Sequence, residues 1–310
     1  MTAVVAAEVG AWLLVEPPDA RTVALASAGV ALDSLEANTF YNPAAISHGP
    51  RFAATWTHRN MSPEWFHGMS YDHAGLAARF GDRLGVAANL QYAQYGETEV
   101  INEHGRLLGR YRPYDVAPSA SFAYHMAAGL SAGVTAKAFY SSLVPDWVWD
   151  SMPELGIVSS GTAFTVAADA GVQYRPLNAL TLGFAVANLG PNFSYDTTAS
   201  SMLPRLARLG IAVRPRIPGP VSAMLTSEVS RDLWPEVAKF AWHAGAGLEI
   251  GVCNMAFFRL GYYHHDRIER GPTWGVGLER HGIRLDLGVD SGFNGEPGTR
   301  DVRFELSAGY

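Results

Sequence analysis

Apolar and polar residues alternate without a break over residues 300–310. One face of this segment is apolar and the other polar or small; the two sets are Val302, Phe304, Leu306, Ala308 and Tyr310, against Arg303, Glu305, Ser307 and Gly309. A period of two predicts a long β-strand with one apolar face. Bacterial outer-membrane barrels typically end on such a strand, with the apolar face towards lipid and the polar face towards the lumen.

Similar alternating segments recur along the chain and are separated by turn-forming residues. We predict strands at 51–58, 66–80, 83–95, 115–127, 129–142, 161–174, 178–189, 203–214, 218–229, 240–251, 253–263, 272–280, 282–290 and 300–310. The number of strands is even, and short turns alternate with longer polar connections at 59–65, 96–114, 143–160, 190–202, 230–239, 264–271 and 291–299. Outer-membrane barrels sort short periplasmic turns from long extracellular loops in this way. The sequence therefore predicts an all-β fold, a 14-stranded antiparallel transmembrane barrel at 51–310.

Composition agrees with a barrel that lies in lipid. Charged residues make up 17% of the chain and the mean hydropathy is +0.02, yet no uninterrupted apolar run is long enough for a membrane helix. The net charge of −6 argues against a nucleic-acid partner. The single cysteine, Cys253, excludes an internal disulfide and falls in an expected tight turn.

Residues 1–50 depart from the strand pattern. Residues 1–7 are apolar but lack the basic region and full apolar length of a signal peptide, although an outer-membrane location requires export. Paired prolines at 17–18 oppose a central strand, and Asn42-Pro43 predicts a turn or helix start. We expect an N-terminal plug in the lumen, because residues such as Trp12 and Leu13 need a dry surface. A periplasmic tail packed under the barrel is the alternative.

Three stretches resemble one known family. They are PDARTVALASAGVA at 18–31 with YNPA at 41–44, then VANLGP at 186–191 with LP at 203–204 and RLGI at 208–211, and finally RLGYY at 259–263 with GVGL at 275–278. In this order they are similar to PorV/PorQ-type proteins of the FadL-like barrel group. The resemblance implies a barrel of the type IX secretion apparatus, whose partners are another secretion-machinery barrel, surface proteins and secreted cargo. The connections at 96–114 and 143–160 are modest in length, which puts the cargo role in question.

Catalytic and metal chemistry have little support in the sequence. His264, His265 and Asp266 form the densest group of metal ligands, but neighbouring histidines on an extended chain point apart. No local motif pairs a nucleophile with an oriented histidine. We therefore expect neither an enzyme nor a bound metal or cofactor.

Charged residues on the inner faces of the last strands form a second candidate feature. If Leu285 and Phe304 face lipid, five charged residues point inwards: Glu279, Arg284, Asp286, Arg303 and Glu305. Their signs interleave, so a hydrogen-bonded luminal network costs less than isolated buried charges. Its expected role is to fill and stabilise the barrel, with a transport pathway as the lesser alternative.

Aromatic residues in the long connections are candidates for contact with partners or lipid. Trp65, Phe66, Trp147, Trp149 and Trp234 fit an interfacial girdle. Trp147 and Trp149 also fit an exposed docking tip at 144–153, and Phe193 and Tyr195 fit a second one at 190–202, since exposed aromatics are favoured at interfaces.

Two classes of function remain open from the sequence. The first is a non-enzymatic secretion component in the bacterial outer membrane that binds protein partners through its extracellular loops. The second is a FadL-like transporter of hydrophobic small molecules, which needs a continuous apolar cavity. The inward residues identified above are mostly glycine, serine and paired charge, and this favours the partner-binding hypothesis.

Overall fold

A computed structural model describes residues 10–33, 39–61, 68–127, 129–151, 161–195, 200–233, 242–265, 270–291 and 301–310. Its sixteen strands are β1 Phe52–Asn60, β2 Met69–Phe80, β3 Leu84–Tyr95, β4 Thr98–Ile101, β5 Leu107–Tyr111, β6 Tyr114–His125, β7 Leu130–Ser142, β8 Thr162–Leu177, β9 Leu180–Leu189, β10 Leu206–Val213, β11 Val221–Asp232, β12 Trp242–Val252, β13 Ala256–His265, β14 Arg270–Arg280, β15 Ile283–Asp290 and β16 Asp301–Gly309. Among these residues no helix has the length and apolar character needed to cross a membrane.

Fourteen of the strands close into one antiparallel barrel, as the alternation predicts. Each pairs with its neighbours in sequence, except that β3 pairs with β6, and β1 closes the sheet against β16 from Ala53–Gly309 to Arg59–Arg303. Lipid-facing side chains are apolar: Leu285 and Phe304 are 56% and 57% exposed, while Asp286 and Glu305 on the same strands are 4% and 2% exposed. This apolar outer face and the closed sheet place the chain in a bacterial outer membrane.

The predicted boundaries differ from the structure at two kinds of place. Strands β2, β10, β11 and β13 begin three residues later than predicted, and β8 ends three residues later. Before β13, Cys253 and Asn254 adopt positive φ of 54° and 52°, which lengthens the turn. The connection at 96–113 contains an unpredicted hairpin, β4–β5, and residues Asp146–Asp150 form a short helix, α2, in the next long connection. Both lie beyond the barrel wall, where alternation between lipid and lumen no longer applies.

The chain before β1 packs against the inward-facing side of the sheet, and we call residues 10–33 and 39–49 the inner segment. It contains the 3-10 helix η1 (Trp12–Leu14), the helix α1 (Ala20–Ala24) and the 3-10 helix η2 (Pro43–His48). α1 contacts β13 to β16, and η2 contacts β2, β3, β6, β7 and β8 on the opposite wall. Most of its side chains are buried, so the lumen is filled by the chain's own N-terminal residues.

Close approach of the inner segment depends on glycines in the wall. A Cβ on Gly288 would lie 2.2 Å from the carbonyl oxygen of Ala20, and one on Gly183 would lie 2.2 Å from that of Val30. These distances are far below van der Waals contact. Side chains at these two positions would displace the inner segment from the wall.

Arginine substitutions at two depths of β16 test which face of the strand points to lipid. Leu306→Arg places a guanidinium near the middle of the lipid face of β16, whereas Tyr310→Arg places it at the strand end. Leu306→Arg should lower the free energy of unfolding in lipid vesicles by about 2–4 kcal/mol and Tyr310→Arg by about 0–1 kcal/mol. Denaturant titration measures both, and equal losses would contradict this orientation.

Candidate functional site

Long connections identify the extracellular end of the barrel, and a cluster of apolar residues lies on the inward-facing side at that end. This extracellular apolar zone consists of Ala11, Leu13, Leu14, Met61, Tyr71, Ala93, Ala117, Phe139, Ala163, Ala167, Phe193 and Leu203, with Trp12, Met69, Tyr95 and Tyr195 packed against them. The inner segment contributes η1, the strands β2, β3 and β6 to β8 contribute the wall, and Met61, Phe193 and Leu203 come from connections. The expectation of a lumen made mostly of glycine, serine and paired charge is therefore wrong for this end of the barrel.

Polar groups within the zone hold η1 by its backbone carbonyls. Gln91 Nε2 donates to the carbonyl oxygens of Leu13 and Glu16, both at 3.3 Å, and Asn188 Nδ2 donates to that of Leu14 at 3.1 Å. Asn188 adopts a positive φ of 61° where the β8–β9 register shifts, and its side chain is buried. Lys137 Nζ donates to Asn188 Oδ1 at 2.9 Å and pairs with Asp169 at 2.7 Å, which fixes the amide.

A chain of hydrogen bonds crosses the zone from the inner segment to the wall. Trp12 Nε1 donates to Tyr95 Oη at 2.7 Å, and Tyr95 Oη donates to Asp115 Oδ2 at 2.5 Å. Asp115 is 3% exposed. Within the described part of the chain Asp115 forms no ion pair, and its carboxylate faces two hydroxyl groups, those of Tyr95 and Ser141. No local pattern in the sequence indicates this arrangement, because Trp12, Tyr95 and Asp115 lie on different elements.

Charged side chains near the periplasmic end form a second cluster, which we call the periplasmic charge cluster. Arg259 donates from Nε to Glu249 at 2.7 Å and from Nη1 to Asp286 at 2.6 Å. Arg284 pairs with Asp286 at 2.8 Å, and Arg21 of the inner segment donates twice to Glu249, at 2.9 and 3.0 Å. Each carboxylate thus faces at least two guanidinium groups, which offsets the cost of burial.

The five residues of the predicted luminal network divide between separate places. Arg284 and Asp286 lie together in the periplasmic charge cluster, and Glu279 is 3.8 Å from Arg284. Glu305 instead accepts hydrogen bonds from the Ala20 amide at 2.8 Å and the Thr55 hydroxyl at 3.0 Å. The prediction missed Glu249 and Arg259, although they also face inwards on alternating strands. It missed Arg21 as well, because the inner segment has no periodic pattern that would place this residue.

Arg303 belongs to an outer charge cluster at the extracellular end. Its Nη2 donates to Glu16 at 2.5 Å and to Asp301 at 2.8 Å, and Arg59 donates to the same two carboxylates at 2.5 and 2.6 Å. Arg303 also donates to the carbonyl oxygen of Pro17. This cluster ties the inner segment to β1 and β16, the two strands that close the barrel.

Asn42 and Pro43, predicted as plug residues, lie at the start of η2. Asn42 Nδ2 donates to the carbonyl oxygens of Val30 and Val172, both at 3.0 Å, and Asn42 Oδ1 accepts from the Ala44 amide at 3.0 Å. One asparagine therefore joins two parts of the inner segment to the wall of the barrel.

His48 closes η2 at the periplasmic end, outside the strands. Its Nε2 lies 2.7 Å from Ser131 Oγ. Burial, reinforced by the nearby Arg175 guanidinium, lowers the pKa of His48 from 6.5 to about 4. Because the folded pKa is below the ordinary value, neutral His48 favours the packed state above pH 6.5, and this contribution is lost as the pH falls towards 4.

The aromatic residues proposed for partner binding have different environments. Trp147 in α2 is 38% exposed and packs edge-on against Tyr111 of the β4–β5 hairpin, with ring centroids 6.2 Å apart, and Trp149 is half-buried. Phe193 was expected on an exposed tip, and this is wrong: it is 5% exposed because its connection folds inwards and packs on Phe139 at 5.7 Å. Tyr195 is half-buried beside Phe193.

Several candidate residues fall outside the description. Trp65, Phe66, Trp234 and Asp266 lie outside the described residues, as does the side chain of His265. Within the described residues, no group of three or more histidine, cysteine, aspartate or glutamate side chains could hold a metal ion.

Comparison with known proteins supports the fold. The structure is similar to the Pseudomonas putida toluene transporter TodX, with a TM-score of 0.55 and 14% identity over 92% of this chain and 96% of that one. It is also similar to the monoaromatic hydrocarbon channel CymD (TM-score 0.63, 10% identity, 96% and 98% covered). A FadL homologue from Pseudomonas aeruginosa gives a TM-score of 0.53 at 11% identity, with 94% and 98% covered.

No protein-family model matches the sequence, and no curated protein matches it. These three solved structures are FadL-family outer-membrane barrels. At identities of 10–14% this likeness concerns the fold: a closed barrel of fourteen strands in the outer membrane.

The periplasmic charge cluster predicts unequal effects of two matched substitutions. Arg259→Met removes one cation from both Asp286 and Glu249, which keep Arg284 and Arg21, so it should lower the free energy of unfolding by less than the roughly 3–5 kcal/mol of a fully unpaired buried charge. Arg21→Met leaves Glu249 paired with Arg259 and should cost less. Denaturant titration of both variants measures the difference, and equal losses would show that Arg259 does not bridge the cluster.

Proposed function

We propose that this protein carries hydrophobic small molecules across the outer membrane. The observation that carries the proposal is the extracellular apolar zone, the largest cluster of buried apolar residues among the described residues. An apolar molecule gains about 25 cal/mol for each Å² of surface that leaves water, so this zone is where such a molecule would bind. Such transport uses no catalytic group, and we propose that the protein is not an enzyme.

The substrates of two similar barrels support this class of substrate. TodX is described as a toluene transporter and CymD as a monoaromatic hydrocarbon channel. An apolar zone at the extracellular end fits a substrate that arrives from outside the cell. The small-molecule transporter is therefore favoured over the secretion component, which the inward residues of the last strands alone had suggested.

The inner segment acts in this proposal as a plug. It fills the lumen from η1 at the extracellular end to η2 at the periplasmic end, and its charges pair with the wall at both ends. Passage of a substrate then requires part of this segment to move. The segment is anchored by hydrogen bonds and ion pairs, which can re-form after a displacement.

Deletion of residues 8–47 tests the plug. The shortened barrel should assemble, because the β1–β16 pairing lies outside the deletion, and should conduct ions, because the lumen is no longer filled. Conductance across a planar bilayer measures this, with the full-length protein at the same lipid ratio as control. A folded variant whose conductance stays near zero would contradict the plug.

Uptake of toluene by intact cells that express the protein tests transport. Phe139→Ser removes a fully buried aromatic ring from the zone and should reduce the uptake rate by up to about tenfold, the equivalent of roughly 1.5 kcal/mol of lost apolar burial. The control is the double variant Trp147→Ser and Trp149→Ser, whose side chains lie outside the zone and whose uptake should be unchanged. Unaltered uptake with Phe139→Ser would contradict the proposal.

A second candidate function is the binding of protein partners, as in the type IX secretion apparatus. Exposed apolar residues on the extracellular hairpin and α2 favour it: Ile101, Leu107 and Trp147 are 51%, 46% and 38% exposed. Under this hypothesis the double tryptophan variant loses a co-purifying outer-membrane or secreted partner, while toluene uptake is absent from every variant.

A further inference from the structure

The position of Trp12 indicates which hydrophobic molecules fit the extracellular apolar zone. Trp12 lies partly buried against the zone, with its ring edge-on to Tyr95 and the two centroids 6.1 Å apart. Trp12 belongs to the inner segment, and its ring, which carries one N–H donor, packs against the wall of the barrel at this place. That donor is satisfied by Tyr95 Oη at 2.7 Å.

At this place the phenol oxygen of Tyr95 can accept a hydrogen bond from a bound molecule but has no proton left to donate. Tyr95 uses its own proton in the 2.5 Å hydrogen bond to Asp115, so the lone pairs of Tyr95 Oη are what remains for a molecule in the zone. The carboxylate of Asp115 polarises the phenol and makes its oxygen a stronger acceptor. The Ser141 hydroxyl faces Asp115 across the β6–β7 register, so the Tyr95 oxygen is the acceptor that a molecule in the zone would meet.

The surroundings of this acceptor are mostly apolar, apart from the hydroxyl groups of Ser141 and Tyr195 near Asp115. Phe139 and Phe193 are buried in the same zone, and the cations of the outer charge cluster are already paired with Glu16 and Asp301. An acceptor held in apolar surroundings favours a molecule with a donor, because a molecule without one leaves the acceptor unsatisfied. A carboxylate would meet both an acceptor and the negative charge of Asp115, which disfavours it.

Trp12 is the least buried residue of η1, since Leu13 and Leu14 are 0% and 1% exposed and Trp12 is only partly buried. Ala11 precedes η1 with φ of 55°, a left-handed conformation that residues with a Cβ rarely adopt. The carbonyl groups of η1 are held by the neutral amides of Gln91 and Asn188. A small aromatic molecule with the same donor can therefore replace Trp12 and form the same hydrogen bond.

We propose that the extracellular apolar zone binds aromatic small molecules with one hydrogen-bond donor, at the position of Trp12 and with the donor directed at Tyr95. This inference rests on the proposed transport of hydrophobic molecules and specifies their chemistry. It assigns Tyr95 as the residue that distinguishes donors from plain hydrocarbons, and Asp115 as the residue that positions the Tyr95 proton.

Indole and 1-methylindole are the matched probes, since they differ in whether the ring nitrogen carries a proton. Calorimetric titration of the full-length protein in detergent should give a dissociation constant about tenfold lower for indole. Trp12→Ala vacates the position and should tighten the binding of indole further. Equal dissociation constants for the two probes in both proteins would overturn the inference.

Tyr95→Phe removes the acceptor and keeps the ring, so it should abolish the preference for indole while 1-methylindole still binds. Tyr92→Phe is the control: Tyr92 lies on the same strand but is 37% exposed on the lipid face, and the preference should persist. Folding of each variant is checked by the resistance of the barrel to heat in a detergent gel. The comparison of indole with 1-methylindole on the wild-type protein tests the inference even if a variant does not fold.

The outcomes separate this inference from the proposed function. If both probes bind and toluene is taken up, but indole has no advantage, transport stands and the donor preference is overturned. If neither probe binds and toluene uptake is absent, both proposals fail. A preference for indole that Tyr95→Phe abolishes and Tyr92→Phe retains supports the inference.

Discussion

Closure of the sheet between β1 and β16 is the constraint on which the rest of the structure depends. In the hydrocarbon layer no water is available to backbone N–H and C=O groups, so a strand edge left open there would cost several kcal/mol for each unpaired group. Seven residue pairs, from Ala53–Gly309 to Arg59–Arg303, remove that edge. Arg59 and Arg303, the last of these pairs, both bind Glu16 and Asp301, so the seam and the inner segment share one set of charges.

A closed barrel encloses a volume that has to be filled or left wet, and this chain fills it with its own N-terminal residues. Charged and apolar clusters lie beside each other at both ends of the lumen. Towards the periplasm, guanidinium and carboxylate groups pair around Arg259, while Ile46 packs on small residues of other strands. Towards the outside, Phe139, Phe193 and the residues of η1 pack together beside the outer charge cluster. The charges of β14–β16 therefore represent only part of the lumen.

The wall of the barrel could be predicted from the sequence because lipid and lumen impose a period of two on every strand. All fourteen barrel strands and the phase of β15 and β16 follow from it. The contacts inside the lumen could not be predicted, because they depend on the register between distant strands and on a segment without periodicity. Glu305 illustrates this: alternation places it inwards, but only the packed inner segment shows that it accepts from the Ala20 amide. Phe193 resembled an exposed loop residue for a related reason, since nothing local indicates that a connection folds back into the barrel.

The course of the inner segment has a consequence for how the barrel closes. The amide of Gly10 bonds to Met202 beside β10 at the extracellular end, and η2 packs at the periplasmic end next to β1. The segment therefore traverses the lumen before the first strand begins. Glu16 of this segment pairs with Arg59 of β1 and with Arg303 of β16, so the position of the segment and the closure of the seam are coupled. A sheet closed without the segment would leave these two guanidinium groups to share the single carboxylate of Asp301.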